Sequence, residues 1–359
     1  MRCSAAKTVW SAQFSTCAHA APPAPAHVSN VAIALNAVIA VVDGDRPEVL
    51  CVKAPIGQSA RELALPYGPF DPERHRTFDI GVREWVERQT SVSLGYVEQL
   101  YTFGDKGREA PAAALAGGAG ERVVSVGYLA LAPAPAELLV EDALWTNWYA
   151  LFPWEDWRGG EPPILSERIK PALQAWLAGA KTADQRQARM ARVNAAFGFS
   201  GFGWEEERAL DRYELMYEAG LVVEAGRDRA ATGLENAAGA RTGVKELGVA
   251  MISDHRRILA TAIGRLRGKL KYRPIIFEMI GPSFTLLQLQ RTVEAIVGFE
   301  FHKQNFRRSV EKSGFIEATG ETTGEAGGRP AALFRVDRDG LKDRAAAGLA
   351  IPRMRRPGE

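Results

Sequence analysis

The segment FTLLQLQRTVEAIVGFEFHKQNFRRSVEKSGF, residues 284–315, constrains this chain more tightly than any other. Its first half carries a full set of helix-start signals. Thr285, followed three residues later by Gln288, forms a capping box, and Phe284 with Leu289 forms a hydrophobic staple. Leu286, Leu289, Val293 and Ile296 then line one face, and Gly298 is placed to end the helix. The spacing predicts a second helix from near His302 to Ser313, closed by Gly314. Phe306 and Val310, four apart, suffice to dock it on the first. That leaves Lys303, Gln304, Asn305, Arg307, Arg308 and Lys312 pointing elsewhere.

Those six side chains are of the types that DNA grooves recruit. Arg and Lys suit guanine edges or phosphates, and Asn and Gln suit adenine. A helix that is merely solvated more often mixes Glu among its lysines, and here only Glu311 does so. The following FIEATGETTGEAGGRPAALFRV predicts two short strands around a Gly/Thr/Glu turn, with Arg329 at the return. Helix, turn, basic helix and hairpin is the order of a winged helix-turn-helix. In that arrangement the second helix enters the major groove and the wing touches backbone or minor groove. The competing reading is a small α+β packing module that meets no nucleic acid.

Charge supports the first reading. The 359 residues carry a net charge of only +2, but unevenly. From Arg256 to the end there are 20 Lys and Arg against 11 Asp and Glu, or +9, which leaves −7 for residues 1–255. An acidic body with a basic tail half suggests that one end meets a polyanion. The 46% hydrophobic and 25% charged content is ordinary for a globular protein with room for two or three domains. The longest apolar run, Val31 to Val42, is interrupted by Asn36 and too short to span a bilayer, so no membrane partner is expected. Residues 1–27 lack an apolar signal-peptide core and read as a disordered leader. Cys3, Cys17 and Cys51 offer neither a disulfide framework nor paired metal spacing. Cys51 reads as a buried thiol, and a reducing, cytoplasmic setting fits.

Upstream, VAIALNAVIAVVDGDRPEVLCVKA predicts two strands joined at Asp43-Gly44-Asp45. FDIGVREWVERQT switches to helical period, with Phe78, Val82, Trp85 and Val86 on one face and Thr77 or Asp79 as cap. YVEQLYTF and RVVSVGYLALA are further strands, so the pattern implies a mixed α/β sandwich rather than a doubly wound sheet. SERIKPALQAWLAG and WEEERALDRYELMYEAG predict helices, the second ending at Gly220. Residues 225–243, rich in Gly, Ala and single charges, read as a mobile loop or linker. SDHRRILATAIGRLRGKL is a clear amphipathic helix with Asp254 as N-cap. Leu259, Ile263, Leu266 and Leu270 form its stripe, and Arg256, Arg257, Arg265, Arg267 and Lys269 lie on the other face.

From Asp254 onward, DHRRILATAIGRLRGKLKYRPIIFEMI, FTLLQLQRTVEAIVG and HKQNFRRSVEKSGFI resemble the C-terminal region of Nudix-related transcriptional regulators of the NrtR type, over about 100 residues. The layout is also similar to the alphaproteobacterial NAD-regulator branch, NadQ. The resemblance implies an α/β (α+β) chain. Residues 28–165 would form a Nudix-like mixed α/β/α sandwich, and residues 166–253 a helical insertion and loop completing it. A connecting helix would span 254–273, a winged helix-turn-helix 274–340 and a basic tail 341–359. It also implies that NFRR approaches operator DNA as part of a homodimeric repressor of NAD biosynthesis, with ADP-ribose or a related NAD metabolite as the small nucleotide effector. His302 departs from the acidic cap that the family often has.

In that family GVREWVERQTS should be the Nudix box, G-x5-E-x7-R-E-U-x-E-E-x-G-U, whose clustered carboxylates hold a divalent cation against a diphosphate. Anchored on Arg83-Glu84, the pattern keeps Glu87. It places Arg88, Thr90 and His75 where Glu, Gly and Glu are required, with Gly68 one residue out of register. A guanidinium in place of a metal-binding carboxylate repels the ion at short range and cannot be neutralised. Arg83, Glu84 and Glu87 are therefore remnants. They are expected to serve ligand binding, to hold Mg²⁺ weakly if at all, and to leave diphosphate hydrolysis absent or marginal. LPYGPFDPERHR and WTNWYALFPW supply aromatic and basic groups for a nucleotide, although Trp145, Trp148, Tyr149 and Trp154 suit a core better. Two alternatives stay open. One is an active, Mg²⁺-dependent Nudix pyrophosphatase of the ADP-ribose or NADH type with an appended packing domain. The other is a non-catalytic nucleotide-binding protein that acts through protein partners.

Overall fold

A strand covered on both faces must be apolar at nearly every position, and this places β1 (Val31–Asp43) at the centre of the sheet. The computed structural model describes residues 31–56, 60–108, 122–231, 247–323 and 330–338. Leu35, Ala37 and Ile39 enter one core, and Val38, Ala40 and Val42 enter the other. β2 (Arg46–Ile56) returns antiparallel to β1 with Val49 opposite Ala40. Short strands β3 (Ala60–Ala64) and β4 (Tyr67–Pro69) add to β2 and β1. α1 (Phe78–Thr90) buries Val82 and Val86 in the first core, beneath Leu35 and Ile39. β5 (Tyr96–Phe103) lies antiparallel to β6 (Arg122–Leu131), which runs parallel to β1 from Arg122 opposite Val31 to Leu131 opposite Ala40. β7 (Ala143–Asn147) closes on β2. The order β3-β2-β1-β6-β5 is the mixed sheet that the strand and helix periods predict.

The second face is covered by helices. α2 (Trp148–Leu151) follows β7, and a wide π turn, Leu165–Ile169, leads into α3 (Lys170–Ala178). The wide turn ends beside Pro171, which has no N–H to continue an ordinary helical ladder. α4 (Ala183–Phe197), capped by Thr182, and α5 (Ala209–Glu218) come next, and the chain turns out of α5 through Gly220. α6 (Val223–Ala231) corrects the reading of residues 225–243 as a loop. Its first residues are held in helix by the buried Glu224, which accepts from Met251 N at 3.1 Å. The remainder of that stretch lies outside the described residues, as do the leader and the basic tail.

α7 (His255–Leu270) runs through the middle of the molecule and packs on β1, β5, β6 and α5. It lies close to the sheet because Gly127 of β6 has no side chain; a Cβ there would stand 2.9 Å from the Ile258 side chain. α8 (Leu286–Val297), α9 (Lys303–Ser313) and the hairpin β8 (Ile316–Thr322) and β9 (Ala332–Val336) complete the fold. One apolar core runs without interruption from Val38 and Leu129 through Ile263 and Leu266 to Val293, Phe306 and Phe315. The C-terminal module is therefore docked on the sheet's helical face. Cys51 lies in this core, where burial pushes its thiol up to about 12, as expected of an inert packing residue. No described helix is long and apolar enough to cross a membrane.

Candidate nucleic-acid interface

The capping box predicted at Thr285 closes in both directions. Gln288 N donates to Thr285 Oγ1 at 3.1 Å, and Thr285 N donates to Gln288 Oε1 at 2.7 Å. Phe284 and Leu289 are both buried, and Phe284 pairs with Phe334 of β9, tying the hairpin to the lead-in of α8. The turn into α9 is strapped back onto α8. Gln290 Nε2 donates to Phe301 O at 3.1 Å, and Glu294 Oε1 accepts from Phe301 N at 2.8 Å and from Gln290 at 2.8 Å. α9 starts after His302, whose side chain makes no cap hydrogen bond, and stops at Gly314.

Phe306 and Val310 are each 1% exposed and dock α9 as its period predicts. Lys303, Gln304, Asn305, Arg307, Arg308 and Lys312 are all exposed on the other side. Arg307 Nε meets Glu311 Oε1 at 3.0 Å, an i,i+4 pair in which both side chains are more than half exposed. Pairs of this kind contribute about 0.3–0.5 kcal/mol, so a phosphate can readily displace Glu311. The predicted wing residue Arg329 lies outside the described residues. The strands around it expose Glu317 and Glu321, with Arg335 Nε held 2.6 Å from Glu317.

The cations of α7 are disposed quite differently. Arg256 and Arg267 are each 1% exposed. Arg256 lies 3.3 Å from Glu224 and donates to Leu151 O, and Arg267 Nη1 lies 2.5 Å from Glu155 Oε2. Arg257 is paired with Glu214 at 2.8 Å and with Asp105, Lys269 with Glu98, and the following Lys271 with Glu206 at 2.8 Å. Asp254 does not cap the helix; it meets Arg108 at 2.9 Å and Arg257 at 3.6 Å. Much of the positive surplus after residue 255 thus neutralises the negative surplus before it inside one molecule.

Arg83, Glu84 and Glu87, the expected box remnants, lie together on α1, capped by Thr77, whose Oγ1 accepts from Ile80 N at 3.2 Å. Arg83 clasps Asp79 at 2.9 Å and donates to the carbonyls of Leu94 and Gly95, so it clamps the helix to the loop behind it. Glu84 is fully engaged. Its Oε1 accepts from Arg74 at 2.5 Å and Arg88 at 2.6 Å, and its Oε2 lies 3.3 Å from His75 Nε2. His75 is buried and oriented by Asp71 N, which donates to its Nδ1 at 3.0 Å. Glu87 is exposed one turn on. This donor set does not fit Mg²⁺, which demands several oxygen ligands; the Glu84 carboxylate is already engaged by two guanidinium groups and an imidazole. Among the described residues no group of three or more His, Cys, Asp or Glu is arranged to hold a metal. Arg74 was not singled out from the sequence because it occupies an unspecified position of the box pattern, within the basic segment LPYGPFDPERHR. The WTNWYALFPW segment does not form a ligand cage: Trp148, Tyr149 and Trp154 are buried in the core, and Trp145 is half-buried with its Nε1 on Ala136 O.

A capped support helix, a strapped turn, an exposed basic helix and a hairpin bonded to the lead-in define a winged helix-turn-helix module, here joined to a mixed α/β body. Residues 276–336 match the family described as the NrtR DNA-binding winged helix domain. The ADPR responsive transcriptional repressor NtrR of Acinetobacter baylyi is 39% identical over 82 residues, covering 23% of this chain and 32% of that protein. The chain therefore matches about a third of that relative's length. Among solved structures, Shewanella oneidensis NrtR is similar over 88% of this chain and 98% of its own, at 19% identity and a TM-score of 0.49. The same protein in complex with a 27mer DNA is similar over 88% and 97%, at 18% identity and a TM-score of 0.46.

Proposed function

We propose that this chain is a ligand-responsive transcription regulator. It reads double-stranded DNA through α9 and senses a small nucleotide, ADP-ribose or a related NAD metabolite, through its Nudix-like body. The observation that carries this reading is the exposed face of α9, where Lys303, Gln304, Asn305, Arg307, Arg308 and Lys312 stand together with Glu311 as their acidic neighbour on the helix. That face suits a major groove, with Arg and Lys on phosphates and guanines and Asn and Gln on adenines. Modules of this geometry act as dimers on half-sites about one helical turn apart, so a homodimer on a palindromic operator is expected.

The body supports a sensor better than a hydrolase. With Glu84 occupied by Arg74, Arg88 and His75, the carboxylate cluster that would draw a metal to a diphosphate is neutralised. The likeness to the Acinetobacter ADPR responsive repressor supports ADP-ribose as the effector and repression as the output. Genes of NAD biosynthesis are the targets that fit such an effector, in a cytoplasmic setting. Effector binding changes DNA affinity only by the difference in its affinity for the two arrangements of the molecule. The test is fluorescence anisotropy of a labelled duplex carrying the gene's own upstream region, with and without ADP-ribose. Salt-sensitive duplex binding that ADP-ribose shifts supports the proposal. A protein that ignores the duplex, or that cleaves ADP-ribose briskly with Mg²⁺, refutes it.

A further inference from the structure

We propose that Glu155 is the positioning residue that fixes the DNA-reading module on the Nudix-like body, acting through Arg267 and Tyr149 on the C-terminal turn of α8. The proposal deepens the regulator reading and rests on it for its functional consequence. The last carbonyls of any helix lack partners within the helix and are normally left to water or to a local cap. At the end of α8 they are taken by the body instead. Tyr149 Oη donates to Ala295 O at 2.7 Å, Arg267 Nε to Ile296 O at 2.8 Å and Trp157 N to Gly298 O at 2.6 Å. The three donors come from α2, α7 and the segment after Glu155, so the end of α8 is gripped from three sides. The approach leaves no space for a side chain at Gly298, whose φ is +86°; a Cβ there would lie 2.4 Å from Glu155 O.

Glu155 organises that grip. Its Oε2 accepts from Arg267 at 2.5 Å and from Arg212 Nη2 at 2.9 Å, and its Oε1 accepts from Arg212 Nε at 2.6 Å. Arg212 reaches on to Ala196 O at 3.0 Å and Glu205 O at 2.9 Å, and its guanidinium lies 3.8 Å from the centre of the Trp204 ring. The side chains of Glu155, Arg212 and Arg267 are fully buried. Two guanidiniums on one carboxylate leave a buried positive charge, which the carbonyls at the C-terminal end of α8 are well placed to stabilise. A single carboxylate thus joins α5 and the end of α4 to α7 and α8. From α8 the Gln290–Glu294–Phe301 strap carries the orientation to α9 without a flexible joint. Arg158, which stacks at 5.1 Å on Tyr149 and donates to Asp45 O, connects the same grip to the β1–β2 turn.

The obvious variant, Glu155→Gln, strands two buried arginines and can fail to fold. Tyr149→Phe removes one donor to α8, together with the 3.4 Å bond its Oη accepts from Arg267 Nη2, and leaves the ion pairs of Glu155 with Arg212 and Arg267 in place. With the full chain and no ligand, hydrogen exchange in Tyr149→Phe is expected to rise roughly two- to tenfold, the equivalent of one net hydrogen bond. The rise should cover both α8 and α9 while β1 and β6 keep the wild-type rate. A rise confined to residues 145–157, or none, overturns the proposal. The functional arm uses ADP-ribose and the labelled upstream duplex. Tyr149→Phe should keep its ADP-ribose affinity within about twofold, while the factor by which ADP-ribose changes duplex affinity falls toward one. An unchanged factor overturns the proposal. If the wild type shows no such factor the regulator reading fails, and the exchange experiment still decides whether Glu155 and Tyr149 hold the module.

Discussion

Helices α7 and α9 are both amphipathic and both basic, with Arg256, Arg257, Arg265, Arg267 and Lys269 on one and Lys303, Arg307, Arg308 and Lys312 on the other. On α7 the charges are satisfied by carboxylates brought from Glu98, Asp105, Glu155, Glu214 and Glu224, and two of the arginines are sealed from water. On α9 the charges face solvent, and the exposed pair with Glu311 is the ion contact Arg307 makes. The same residue types therefore do opposite work. In α7 they tie the body to the C-terminal module, and in α9 they stay exposed to solvent. A positive helix marks a polyanion site only when its carboxylates are not supplied from elsewhere in the chain.

If this contrast holds, the two helices must respond to mutation in opposite ways. Arg256→Met leaves Glu224 buried without its partner and should cost about 3–5 kcal/mol, read as a lower urea midpoint for the full chain. A loss under about 1 kcal/mol would mean that the α7 pairs are as dispensable as surface ones.

A second effect belongs to the start of α7. Burial pushes the Asp254 carboxyl up to about 6, against the pull of Arg108 and Arg257, and burial together with Arg227 pushes the His255 imidazole down to about 3. Each shifted group contributes a slope of up to about 1.4 kcal/mol per pH unit between its folded and unfolded values. His255, depressed, contributes stability present above its unfolded value of 6.5 and lost as pH falls toward 3. Asp254, raised, binds its proton more readily when folded, so it contributes added stability as pH falls from about 6 toward 3.8. The two oppose each other in that window. Asp254→Asn should make the protein lose stability more steeply between pH 6 and 4, and His255→Gln should make it gain. Parallel pH profiles for wild type and both variants would contradict the assigned environments.

The smallest expected effect lies on α9. Glu311→Ala releases Arg307 and removes a charge that repels phosphate, so duplex affinity should rise about two- to fivefold, in line with about 0.4–1 kcal/mol for an exposed charge. Stability should stay within about 0.5 kcal/mol of wild type. Weaker duplex binding in Glu311→Ala would mean that this face is turned away from DNA.

Features encoded by neighbouring residues were legible in the sequence. The Thr285–Gln288 box, the Gly298 and Gly314 stops, the Phe306–Val310 stripe and the doubly buried β1 run all depend on residues within one or two turns of each other. The fate of the α7 arginines was not, because Glu224 and Glu155 lie 32 and 112 residues away from Arg256 and Arg267. α4 was overlooked although Thr182 and Gly198 punctuate it, since only Val193, Ala196 and Phe197 near its end are buried and little apolar period shows. α6 was read as loop because Gly226 interrupts it and no apolar period shows among its charged residues, and the contacts of Glu224 and Asp228 supply what local pattern does not. In the predicted box, the guanidinium of Arg88 at a carboxylate position was visible, but the closing of Glu84 by Arg74 and His75 depended on a loop fold that no local pattern encodes.

The central claim, that α9 and not α7 presents the protein's charge to DNA, is tested most directly by the salt dependence of duplex binding. Arg307→Ala combined with Arg308→Ala should weaken binding and reduce the slope of log affinity against log salt by about two, roughly one per lost phosphate contact, with an unchanged urea midpoint. A slope identical to that of the wild type would contradict the account.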